Sequence, residues 1–131
     1  MTKFTALSEE YKEAIDGLQD VLRQPKNEYM RDSAIKRFEL AFDLAWKTIK
    51  AFAEEKGTTC VSPLGCFQEA YQQELISYND AWVEMVKTRN KTVHTYDEQL
   101  AEEVYAKLHA TLGLFHELAE NLEKNSQNQS L

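Results

Sequence analysis

Glycine and proline are scarce, four and two respectively in 131 residues. Long stretches carry neither, which excludes a fold of many short strands joined by tight turns and favours a few long helices. Long apolar runs are missing as well. None approaches the roughly 18 residues that a bilayer span requires, so no membrane anchor is expected. The first residues, MTKFTALSEEYKEAI, place acids where a secretion signal needs an apolar stretch. The expected location is therefore the cytoplasm. Cysteine is limited to Cys60 and Cys66. Their spacing is too wide for a C-x-x-C site and no histidine lies near them, so they read as two reduced thiols. Net basic charge is lacking too: the formal charge is -7. That excludes a chain coated in basic charge for general nucleic-acid or membrane-surface binding. A small local phosphate site stays open, since it needs only a few well-placed donors. The carboxylates are scattered with the period of solvated helix faces, so no metal site and no cofactor are expected.

What is present is helical periodicity over one domain-sized chain. Phe4, Leu7, Tyr11, Ala14, Leu18 and Val21 recur at steps of three or four and predict a first helix over about Thr5 to Leu22. Gln24-Pro25-Lys26-Asn27 breaks it. A second helix, about Asn27 to Lys56, carries the seam Ile35, Phe38, Phe42, Ala45, Ile49 and Phe52. Leu40, Leu44 and Trp46 lie off that seam, so this helix is either central in a bundle or covered by a second chain. Gly57 ends it. Ser62-Pro63 reads as a cap and first helical residue of a short helix reaching about Leu75. Ser77-Tyr78-Asn79-Asp80 reads as a turn and cap before a helix through Trp82, Met85 and Val86, which frays near Thr92-Val93. Thr95 and Glu98 have capping-box spacing ahead of a last helix carrying Leu100, Val104, Leu108, Thr111, Phe115, Leu118 and Leu122. The expected architecture is all-α: an antiparallel up-and-down bundle of four main helices and a short one. A single domain is expected over 1–124, with NSQNQSL at 125–131 a disordered tail.

One stretch departs from the acidic background: RNKTVHTY, Arg89 to Tyr96. It straddles a helix end. On an ideal helix Asn90 and His94 share a face. Arg89 and His94 are about 140° apart around the axis, so they converge only if the helix loosens after Asn90 or across an interface with another copy. Arginine offers a fork of donors matched to phosphate oxygens, and histidine exchanges protons near neutrality. Such a pair suits metal-free phosphodiester chemistry on RNA, where the 2′-hydroxyl is an internal nucleophile. The plainer reading is a solvated helix terminus, with Lys87, Arg89 and Lys91 favoured by the negative end of the helix dipole. Trp46 and Trp82 lie within apolar helical segments and read as packing residues. Tyr71 and Tyr78 read as packing and turn residues, and His109 and His116 as surface or packing residues.

RNKTVHTY fits the R-x4-H-x-Y signature of the HEPN superfamily and resembles its HepT-like toxins. RDSAIKRFELAFDLAWKTIK (Arg31 to Lys50) resembles the second-helix signature of the nucleotidyltransferase substrate-binding protein family. SPLGCFQEAYQQELI and NDAWVEMVKTRNKTVHTYDE follow in that family's order, and the resemblance runs from about Phe4 to Glu123. It implies a homodimeric HEPN-like bundle partnered by a minimal nucleotidyltransferase. Two functions come with it. In one, the chain is a metal-independent ribonuclease toxin acting on RNA, silenced when the partner adds AMP to the motif tyrosine. In the other, it is a non-catalytic subunit that presents a nucleotide or other substrate. Under the first, the resemblance makes Arg89 the transition-state stabiliser, His94 the proton-transfer residue, Asn90 its orienting neighbour and Tyr96 the AMP acceptor. Lys87 and Lys91 would hold RNA phosphates.

Overall fold

The computed structural model describes residues 2–129. Among them lie five α-helices: α1 (Lys3–Leu22), α2 (Glu28–Glu55), α3 (Pro63–Gln72), α4 (Ala81–Lys91) and α5 (Glu98–Gln129). A 3-10 turn, Thr92–His94, joins α4 to α5. No strand occurs among the described residues. The expected all-α bundle of four main helices and a short one is what forms. No helix is long and apolar enough to cross a membrane among the described residues.

The helix starts follow from local chemistry. Asn27 caps α2 by accepting from the Met30 amide at 2.8 Å, satisfying a donor the helix itself leaves orphaned. Ser62 caps α3 through the Gly65 amide at 3.0 Å, with Pro63 in the first turn. Gly57 ends the α2 region at φ 83, a left-handed conformation that glycine adopts without a side-chain clash.

α2 is the hub. It packs on α1, α5 and α3, while α4 touches α3 and α5. Its seam Ile35, Phe38, Phe42, Ala45, Ile49 and Phe52 is buried throughout, and Ala34, Ala41 and Thr48 are buried beside it. The small side chains let neighbouring backbones approach closely. An aromatic chain then crosses the bundle. Tyr11 meets Phe115 edge-on at 6.1 Å, Phe115 stacks on Phe38 at 6.2 Å, and Phe38 neighbours Phe42. Phe42 meets Phe67 at 5.7 Å, and Phe67 meets Trp82 at 4.8 Å. Each buried phenyl ring contributes about 1.5–3 kcal/mol. The series fixes the short α4, and with it RNKTVHTY, against the long helices. Of the residues off the α2 seam, Leu44 and Trp46 are half-buried and Leu40 is 52% exposed.

The structure corrects several expectations. Cys60 and Cys66 are not free thiols: they form a disulfide, because the loop after Gly57 folds back and brings their Cα atoms to 5.1 Å. α3 stops at Gln72 rather than near Leu75, where Glu74 takes φ 62 and reverses the chain. Asp80 precedes α4 without a side-chain cap, and Asn79 Oδ1 accepts from the Ala81 amide instead. The Thr95–Glu98 capping box does not form. Asp97 accepts from the Leu100 amide at 3.1 Å, and Thr95 Oγ1 donates back to the Thr92 carbonyl. Apart from these corrections, α5 spans Glu98–Gln129 and so enters the segment 125–131 of that expected tail, with Asn125 Nδ2 donating to the Asn121 carbonyl. Ser130 and Leu131, the end of that expected tail, lie outside the described residues.

Candidate functional site

Glu98 is free of the capping box because Arg31 takes it. Arg31 is only 3% exposed. Its Nη1 donates to Glu98 at 2.7 Å and to Glu102 at 3.1 Å, and its Nε donates to Asp32 at 3.0 Å. A buried guanidinium needs this much compensation. The Glu98 bond and then Glu102 and Asp32 raise the Arg31 pKa further. Glu98 is held below the usual carboxylate range by Arg31, and Glu102 by Lys26 and then Arg31. Lys26 and Glu102 are also directly ion-paired. This clasp ties the start of α5 to α2, and so anchors the far end of the RNKTVHTY segment.

The near end is anchored through α4, where Trp82, Met85 and Thr88 are buried. Arg89 turns inward to α2. Its Nη1 lies 3.2 Å from Glu39 Oε2 and donates to Thr92 Oγ1 at 2.9 Å, while Nη2 lies 3.5 Å from Asp43 Oδ2. Its Nε is buried with no acceptor among the described residues. Thr92 Oγ1 in turn donates to the Arg89 carbonyl at 2.7 Å as the helix tightens into the 3-10 turn.

Beyond that turn the chemistry faces outward. His94 is exposed and meets the Tyr96 ring edge-on at 6.1 Å. Tyr96 is 84% exposed. The helix loosens near Thr92 as the sequence indicates. Even so, no hydrogen bond joins His94 to Arg89 or to Asn90 among the described residues. The three-residue 3-10 repeat moves His94 off the row that Asn90 would share in an α-helix. Lys87 pairs with Glu84 at 3.3 Å; Lys91 and Asn90 are exposed.

Two adjoining depressions run along this face. One, about 490 Å³, is lined by Lys36, Arg37, Glu39, Asp43 and Arg89, with Ser33 and Leu40. The other, about 330 Å³, is lined by Asp32, Ile35, Lys36, Glu39, Thr95 and Tyr96. Lys36 and Glu39 belong to both, so the groove leads from Arg89 to Tyr96. Neither Lys36 nor Arg37 has a carboxylate partner among the described residues. The groove therefore combines the cations of Lys36 and Arg89 with the carboxylates of Asp32, Glu39 and Asp43, while the Arg37 guanidinium lies across Gly17 of α1. Exposed Leu40 and Val93 add an apolar element to this end of the molecule. The α2 members were missed from sequence, although Lys36, Glu39 and Asp43 recur at helical steps on the side away from the seam.

The family model described as nucleotidyltransferase substrate binding protein like matches residues 7–124. A Thermus thermophilus protein of known crystal structure, ttk003001694, is 30% identical, with a TM-score of 0.79 over 86% of this chain and 98% of that one. HI0074 of Haemophilus influenzae is 25% identical, with a TM-score of 0.69 over 92% of this chain and 96% of its own. Its structure was described as revealing the fold of a substrate binding domain of a nucleotidyltransferase. Comparison with curated proteins returns no match.

Proposed function

Since the chain belongs to the nucleotidyltransferase substrate binding protein-like family, we propose that it is the non-catalytic binding subunit of a two-component nucleotidyltransferase. A separate minimal catalytic chain would perform the transfer, and this chain would present the acceptor along the groove from Arg89 to Tyr96. The observation that carries this reading is the charge arrangement of that groove. Arg89 is held by Glu39 and Asp43 rather than poised beside His94, while Lys36 and Arg37 line the same depression. Fixed charges of both signs recognise a polar acceptor and orient it. They do not assemble an arginine–histidine pair in one chain. The test is nucleotide transfer by the catalytic chain with and without this subunit, using wild type and a Lys36→Ala/Arg37→Ala variant. Transfer that needs the subunit and weakens in the variant supports the reading. Transfer indifferent to the subunit refutes it.

The exposure of His94 and Tyr96 favours a second reading. Here two copies pair so that Arg89 of one serves His94 of the other in metal-independent RNA cleavage, with Asn90 orienting the imidazole and Lys87 and Lys91 holding phosphates. A partner that adds AMP to Tyr96 would place charge and bulk at the site and oppose RNA entry. Cleavage of single-stranded RNA in EDTA, lost in both Arg89→Ala and His94→Ala, would establish it. Intact wild type without AMP that leaves RNA uncut would dismiss it.

A further inference from the structure

A second concavity lies at the other end of α4, apart from the RNKTVHTY face. It has a volume of about 340 Å³, within the range of small-molecule sites. Phe67 and Trp82, both buried, and Ile76 line it together with Leu64, Tyr71, Tyr78 and Val83. Several of these lie outside the core. Tyr78 is 74% exposed and Tyr71 and Val83 are exposed too, with the two tyrosine rings edge-on at 5.9 Å. The Tyr78 hydroxyl donates to Asp80 Oδ1 at 2.9 Å, which steadies the ring at the mouth. The polar members are Gln68, Gln72 and Asn79, three carboxamides, with Ser77 and Asp80. Trp82 Nε1 is in addition a buried donor without an acceptor among the described residues.

The charge balance decides what such a site accepts. Among the described residues, one carboxylate and no lysine, arginine or histidine line it. A phosphate is therefore disfavoured, and a neutral or weakly basic group is accepted. Aromatic faces favour a flat π-system. Carboxamides, which both donate and accept, read the mixed donor and acceptor edge of a heterocycle. We propose that this concavity binds one planar heteroaromatic ring of nucleobase size, stacked against Tyr78 or Tyr71 and read at its edge by Gln68 and Gln72, with any attached phosphate left outside. The ring can come from a free nucleoside or from a base of single-stranded nucleic acid, since the chemistry is shared. Binding here does not depend on the role assigned to the Arg89–Tyr96 groove.

The two tryptophans make the test direct, because each indole N–H gives its own amide-type resonance in a ¹H–¹⁵N spectrum of the full chain. Adenosine and cytidine are titrated, with cyclohexanol and inorganic phosphate as controls. The expected result is a saturable shift of the Trp82 indole with at least one nucleoside, while Trp46 stays in place and neither control acts. Tyr78→Ala and Gln72→Ala, both at exposed positions that leave the core intact, should each weaken nucleoside binding by about fivefold or more, the loss of a stacking face or an edge hydrogen bond. A short single-stranded oligoribonucleotide that displaces the nucleoside identifies nucleic acid as the source; one that does not identifies the free nucleoside. No saturable shift at millimolar nucleoside, an equal response to cyclohexanol, or full affinity in both variants would overturn the proposal.

Discussion

Arg89 is held by its neighbours, and that restraint can be released. Glu39→Gln together with Asp43→Asn keeps the shapes and removes both charges. Arg89 and Glu39 are each nearly a quarter exposed and Asp43 more so. Partly exposed pairs of this kind contribute about 0.2–1 kcal/mol each. Any phosphate-bearing ligand that takes Arg89 must first displace them, so the double variant should bind it more tightly by about 0.4–2 kcal/mol. That is a gain of about 2–30-fold in affinity. The assay is isothermal titration of AMP at fixed ionic strength. Removing two negative charges strengthens anion binding generally, so the same variant is also made in an Arg89→Ala background. The gain should vanish there. A gain that persists without Arg89, or no gain in a protein whose melting curve is intact, would refute the idea that Arg89 is a ligand group held in reserve.

Other outcomes follow from the fold. Glu98 and Glu102 have lowered pKa values in the folded chain. Their contribution is therefore complete above the ordinary carboxylate pKa and is lost as pH falls through the lowered values. Melting curves between about pH 7 and pH 3 should show an acid-linked loss that is smaller in Arg31→Met; an equal loss would mean that the clasp does not anchor α5. Tyr11 is fully buried and donates to the Phe115 carbonyl at 2.8 Å. Tyr11→Phe should therefore cost about 1 kcal/mol in denaturant unfolding, and an unchanged midpoint would count against that bond. The Cys60–Cys66 bridge closes a short loop, and reducing it should cost about 2 kcal/mol by loop-closure entropy. Alkylation of both cysteines in unfolded, unreduced protein would contradict the bridge. If the partner adds AMP to this chain, Tyr96→Phe should abolish the mass increase, and modification that persists elsewhere would remove Tyr96 from the account.

Much of the bundle is legible because local signals agree with the tertiary answer. The Ile35-to-Phe52 seam, Asn27, Gly57 and Ser62-Pro63 each carry their instruction within a few residues, and packing endorses them. Sequence reasoning fails where a distant group intervenes. Glu98 sits three residues after Thr95 and looks like a capping-box acid, but Arg31, 67 residues away, displaces the local bond. The disulfide is invisible for the same reason: spacing does not say that the loop doubles back on α3. Arg89 shows a subtler case. Its identity is readable as a candidate, but the carboxylates that hold it come from a helix read only for its apolar seam. The groove is hidden because it forms between α2 and the α4–α5 junction, and only the fold brings those together.

The central claim is that this chain works by binding a separate nucleotidyltransferase chain. Sedimentation velocity on this chain, on a single-domain nucleotidyltransferase from the same genome, and on their mixture tests it most directly. A heavier complex in the mixture is the predicted result. Two species sedimenting independently, at concentrations well above micromolar, would contradict it.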